Sequence, residues 1–115
     1  MHELSIAMSI VDVAAAELQR QGGTAVVAVR LRVGAWSGVV KESLQSAFEV
    51  AKADSALSKC QLRIDEVAVA MHCPTCRCER TVVSTFDPRC SVCGSSASEF
   101  VSGRELEVVA LEIET

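Results

Sequence analysis

Cys73-Pro74-Thr75-Cys76 and Cys90-Ser91-Val92-Cys93-Gly94 decide how this chain is organised: they are two Cys-x-x-Cys knuckles separated by the stretch from Arg77 to Arg89. Two residues between cysteines let both sulfurs of a tight turn reach one ion. Two such turns complete a tetrahedral shell of four thiolates, with zinc–sulfur bonds of about 2.3 Å. Pro74 pre-sets the backbone of the first turn, and Gly94 lets the chain leave the second with positive φ. The spacer is long enough for a hairpin. The expected occupant of Cys73, Cys76, Cys90 and Cys93 is a structural Zn(II). Two readings stand beside it, a dithiol redox catalyst, which one motif alone would serve, and a rubredoxin-like iron site.

Outward from the knuckles, residues 72–103 differ in character from the rest, holding five of the six cysteines, both prolines and the run Ser95-Ser96-Ala97-Ser98. On the N-terminal side, Leu4, Ala7, Met8, Val11, Ala14, Ala15 and Leu18 recur at helical spacing, and Gly22-Gly23 supplies the stop. Val27, Val29, Leu31 and Val33 alternate with Ala28, Arg30 and Arg32, the period-two pattern of a strand with one buried face. Leu44, Ala47, Phe48 and Ala51 then form one stripe of a second helix. Leu62 and Ile64, extended towards Val67 and Val69, mark another strand, and Arg104 to Thr115 reads as a third. The expected fold is α+β: a small three-stranded sheet with two helices on one face plus an inserted zinc-ribbon-like module. Residues 1–72 plus 104–115 would form the α/β domain and residues 73–103 the zinc-binding module.

Bulk properties narrow the function. A length of 115 residues suits one modest domain with a small appended module. Half of the residues are hydrophobic and only 3% aromatic, so the core must be aliphatic. A net charge of −4 and a pI of about 5.1 lack the positive field that nucleic acid requires. The opening Met1-His2-Glu3 has no basic region, and Asp12 and Glu17 interrupt the apolar residues after it, which argues against a signal peptide. No apolar run reaches the roughly 20 residues of a membrane span. The expected compartment is the cytoplasm, where cysteines serve as metal ligands or free thiols. With two histidines, no Ser-His-Asp constellation and no phosphate-cradling glycine loop, the chain does not read as an enzyme. The alternative class, a zinc-ribbon interaction module for transcription or RNA, calls for a basic face with interleaved aromatics, and the composition provides neither.

A histidine at position 2 has its own chemistry. The terminal amine, the amide nitrogen of His2 and its imidazole can close fused chelate rings on one ion, and three nitrogens in a plane suit Ni(II) or Cu(II). Glu3 could add an oxygen. Cys78 reads as a surface thiol, Cys60 as a small buried residue and His72 as a solvated histidine beside a knuckle.

Met1-His2-Glu3 leading directly into a helix, Val33-Gly34-Ala35 ending a strand, Leu44-x-x-Ala47-Phe48-Glu49, the two knuckles, and the ending from Gly103-Arg104-Glu105-Leu106 to Glu112-Ile113-Glu114 belong together. Over its full length the chain resembles the HypA/HybF family of nickel metallochaperones. The resemblance implies that His2 is the nickel ligand with Glu3 as helper, that Ni(II) is transient cargo, and that the four knuckle cysteines hold structural Zn(II). It also implies a role in maturation of [NiFe] hydrogenase, with the GTPase HypB and the hydrogenase large subunit as partners, urease maturation proteins in some organisms, and a monomer or weak homodimer. Two departures stand out. Some relatives use an acidic side chain in the turn after the first strand, where this chain reads Ser37-Gly38-Val39-Val40-Lys41-Glu42, with Val40 in the acid's place and Glu42 the nearest carboxylate. Some carry histidines after the knuckles, where Arg77 and Gly94 stand here, so switching of zinc ligands with pH is not expected.

Overall fold

The computed structural model describes residues 2–115; Met1, whose terminal amine is one of the expected nickel donors, lies outside the described residues. In chain order the elements are α1 (Glu3–Gln21), β1 (Ala25–Gly34), α2 (Lys41–Lys52), β2 (Gln61–Val67), β3 (Ala70–Cys73), β4 (Cys78–Thr81), β5 (Glu99–Ser102) and β6 (Leu106–Glu114). They form two three-stranded sheets, β2-β1-β6 and β4-β3-β5. The chain is α+β, as expected. Two compact units result, one of Met1–Arg32, Val39–Asp65 and Glu107–Thr115, the other of Val33–Gly38 and Glu66–Leu106.

In the first unit α1 packs on α2. The helix α1 buries Ala7, Ile10, Val11, Ala14 and Leu18, whereas Leu4 and Met8, expected on the apolar stripe, are 48% and 55% exposed. At 100° per residue Leu4 and Met8 fall on the flank of the buried arc opposite Ile10, so the stripe is rotated relative to the expected one. Gly22 ends the helix at φ 67°, and the amides of Gly22 and Gly23 donate back to Gln19 O and Leu18 O in a left-handed cap. From α2, Leu44 and Phe48 are fully buried, and they meet an otherwise aliphatic core that includes Val29, Leu31, Leu57 and Leu62.

On β1, Val29, Leu31 and Val33 are buried as the alternation requires, but Val27 is exposed while Val26 and Ala28 are buried. The outward residues Arg30 and Arg32 pair with Asp65 and Glu107 at 3.5 and 3.1 Å. A third pair, Arg63 with Glu112 at 2.9 Å, joins β2 to β6 and so spans the central strand β1. Small Ala28 shares the parity of Arg30 and Arg32 and so lies on the face that carries these long side chains.

In the second unit β3 is the centre of an antiparallel sheet, with Cys73 facing Cys78 and Met71 facing Arg80 across β4. Trp36 fastens the knuckle spacer: its indole Nε1 donates to Thr85 O at 3.2 Å, and its ring packs edge-on against Phe100 at 4.8 Å. Arg104 stacks on the same ring at 5.4 Å. β5 emerges from the Ser-rich stretch, and the strand begun by Leu62 stops at Val67, leaving Val69 outside it.

Candidate metal centre

The first knuckle is the turn of the β3–β4 hairpin. Cys73 ends β3, and the amide of Arg77 donates to Cys73 O at 2.8 Å. The second repeats this backbone, with Gly94 N donating to Cys90 O at 2.9 Å. The residue after each second cysteine turns left-handed, Arg77 at φ 59° and Gly94 at φ 77°. In both knuckles an amide donates to the first sulfur: Cys76 N to Cys73 Sγ at 3.3 Å, and Cys93 N and Val92 N to Cys90 Sγ at 3.4 Å.

Two hydroxyl pairs tie the knuckles together, Thr75 with Ser95 at 2.8 Å and Thr81 with Ser91 at 2.9 Å. Cys90 also bridges Val82 in an antiparallel contact, closing the base of the spacer.

The sulfurs of Cys73, Cys76, Cys90 and Cys93 all lie within 4.8 Å of one another. Cys73 Sγ is 3.4 Å from Cys93 Sγ, and Cys76 Sγ is 3.9 Å from Cys90 Sγ. A tetrahedral S4 shell with bonds of about 2.3 Å requires sulfurs about 3.8 Å apart, and a disulfide requires about 2.05 Å. The spacing therefore fits ligands around one ion and excludes cross-linked thiols. All six cysteines are free.

The four sulfurs are not equivalent. Cys73 and Cys90 are buried, Cys76 is half-buried and Cys93 is exposed. The Ser95 hydroxyl and backbone, with Cys73 behind them, hold the Cys93 thiol down at about 6. The amides of Cys93 and Val92 lower Cys90 against the effect of burial. For Cys76 a hydrogen bond from Arg80 pulls downward, but Cys93, Cys73, Cys90 and burial outweigh it and push the thiol up to about 11. Four sulfurs this close cannot all ionise by themselves, whereas a divalent cation supplies the missing charge and displaces the remaining protons.

The other expected residues are placed separately. His2 is exposed and directly precedes α1, while Glu3 is half-buried in the first turn. Glu42 is exposed in the first turn of α2, one residue after Lys41. His72 is half-buried on β3, where its carbonyl accepts from Ser98 N and Oγ. Cys60 is buried, and that burial raises its thiol against the pull of Lys52. Cys78 faces Cys73 across the hairpin but stands outside the four-sulfur group. Sequence reasoning missed Arg80 and Ser95, the side chains that contact the two less buried sulfurs. Neither belongs to the Cys-x-x-Cys pattern, so only the folded knuckles reveal them.

Fold and site together define a small α+β protein carrying a knuckled module of four convergent cysteines. Residues 1–113 match the family model HypA, described as hydrogenase/urease nickel incorporation, metallochaperone. The hydrogenase maturation factor HypA of Chloroflexus aggregans is 44% identical over 112 residues, covering 97% of this chain and 98% of that one. The hydrogenase maturation factor HypA of a Roseiflexus species is 42% identical over 117 residues, covering 99% and 93%. The solution structure of the Ni metallochaperone HypA from Helicobacter pylori shares the fold at a TM-score of 0.66 and 22% identity, covering 99% of this chain and 98% of that one. The chain belongs to the HypA family.

Proposed function

We propose that this protein is a cytoplasmic nickel metallochaperone, not an enzyme, which binds Ni(II) at its N-terminus and helps insert it during maturation of [NiFe] hydrogenase. The observation that carries this reading is the family match over residues 1–113, which includes His2 at the mouth of a helix. The proposed partners are the GTPase HypB and the hydrogenase large subunit, with urease maturation as the related route.

The backbone around His2 supports the chelate. His2 occupies the N-cap of α1, and its carbonyl accepts from Ile6 N at 3.2 Å, which fixes the residue to a rigid element. The amide of an N-cap lies before the helical hydrogen bonds and has no intrahelical acceptor, so it is free to become a nitrogen donor beside the exposed imidazole. Glu3 follows in the first turn. Cys73, Cys76, Cys90 and Cys93 are the proposed ligands of a structural Zn(II), whose chemistry is to close the module by charge neutralisation. Thiolate and nitrogen donors then sort the two metals by softness and geometry.

Nickel titration of the untagged protein tests the reading. His2→Ala should abolish tight nickel binding and leave zinc content unchanged. One or two residues added before Met1 should weaken nickel nearly as much, because the amine moves out of chelate range while the imidazole stays. Undiminished nickel affinity in the extended protein would rule out the backbone chelate.

A further inference from the structure

Arg20, Arg30, Arg32, Arg63 and Arg89 each face a carboxylate. Arg80 faces sulfur. It stands on β4 opposite Met71, which is fully buried in one cluster with Cys73 and Cys90. Its guanidinium interacts electrostatically most strongly with the Cys76 thiol and lies near Cys78 and Cys90. Its Nε is buried and meets no acceptor among the described residues. A guanidinium stays protonated in proteins, and Arg80 is half-buried, so an anion beside it is stabilising.

The anion is supplied by the metal centre. Four thiolates on one divalent cation leave a net charge of about −2. Backbone amides relieve part of that charge at the buried sulfurs, through Cys76 N at Cys73 and Cys93 N at Cys90. The less buried pair is treated unequally. Cys93 meets the uncharged hydroxyl of Ser95 at 3.2 Å, whereas Cys76 meets a full positive charge.

We propose that Arg80 is a positioning residue of the metal centre: its guanidinium balances the excess negative charge of the four thiolates and shields Cys76, leaving exposed Cys93 as the ligand through which the site is attacked. The inference rests on the zinc reading above. A cation against a sulfur withdraws electron density from it, so the Cys76 thiolate becomes a poorer nucleophile and a slower leaving ligand. With iodoacetamide the attacking sulfur forms a bond to the methylene carbon, iodide departs, and the alkylated sulfur no longer holds the ion.

The experiment uses the full-length, metal-loaded protein, with zinc content measured first and each cysteine's alkylation rate followed by peptide mass spectrometry. In the wild type Cys93 should be modified ahead of Cys76. Arg80→Met should raise the Cys76 rate by about tenfold and speed zinc transfer to a chelator by a similar factor, the size usual for a group contacting a metal ligand. Arg80→Lys should restore most of the protection, which a merely structural role would not require. Arg89→Ala, which removes a positive charge paired to Asp87 instead of sulfur, should change neither rate. Bound zinc with a Cys76 rate unchanged in Arg80→Met, or Arg80→Lys behaving like Arg80→Met, would overturn the inference while leaving the zinc site intact. A wild type without bound metal would overturn the zinc reading first, and this inference with it.

Discussion

The α/β unit holds itself together with Leu18, Val29, Leu31, Leu44, Phe48 and Leu57, buried apolar side chains from the helices, the sheet and the turn that follows α2. In the knuckle unit the buried cluster is Met71, Cys73 and Cys90, with Cys76, Val82 and Ala97 packed against it, so half of these six residues are sulfur ligands of the candidate centre. Its most exposed large apolar side chain, Phe86 at 98%, contributes nothing to that core. With the proposed ion in place, one chain would use two sources of stability: solvent exclusion where there is enough aliphatic surface, and a metal where the module is too small to bury a core.

Removing the ion should break the comparison most sharply. Cys73→Ala, Cys90→Ala or exhaustive chelation should unfold the knuckle unit, because binding free energy at a structural zinc site is largely folding free energy, about 10–16 kcal/mol in finger peptides. Hydrogen exchange should report lost protection across β3, β4 and β5 and retained protection in α1, α2 and β1. Uniform loss across both units would mean that the α/β core depends on the metal too. Acid should act in the same direction. Protons compete with the ion for all four thiolates, so zinc content after dialysis should fall as the pH is lowered.

The reciprocal test lies in the other unit. Phe48→Ala empties the centre of the aliphatic core and should cost about 3–5 kcal/mol, read as a lower midpoint for loss of helical circular dichroism. Bound zinc should stay stoichiometric, since Phe48 belongs to the first unit and every knuckle cysteine to the second.

Much of this arrangement is legible in the sequence, and the illegible parts have physical reasons. Cys-x-x-Cys spacing encodes a local turn, so the convergence of four sulfurs can be read without knowing the sheet that carries them. Helical periodicity places α1 and its Gly22 stop, yet it cannot fix the phase of the buried arc, which depends on what the helix meets; Leu4 and Met8 fall outside that arc for this reason. The burial of Val26 and Ala28 escapes the alternation rule, because both share the parity of the outward residues Arg30 and Arg32. β5, Glu99–Ser102, is only four residues long and follows the Ser-rich run directly, too short to show an alternation, so its pairing with β3 is what defines it. Arg80 carries no motif at all.

The smallest effect sharpens the comparison inside the knuckle unit. The two knuckles share their backbone hydrogen bonds and differ at the left-handed position, where Gly94 sits at φ 77° and Arg77 at φ 59°. A side chain in that conformation costs roughly 1–2 kcal/mol, while glycine carries a larger entropy loss on folding, so Arg77→Gly should stabilise the unit by about 1 kcal/mol or less. The reverse change is informative because a Cβ at Gly94 would meet nothing within 4 Å, which makes the cost of Gly94→Ala purely conformational, about 1 kcal/mol. Competition for zinc against a chelator of known affinity measures both, with tighter retention in Arg77→Gly and looser retention in Gly94→Ala. If Arg77→Gly loosens zinc instead, the Arg77 side chain itself supports the first knuckle, and the two turns are alike in backbone only.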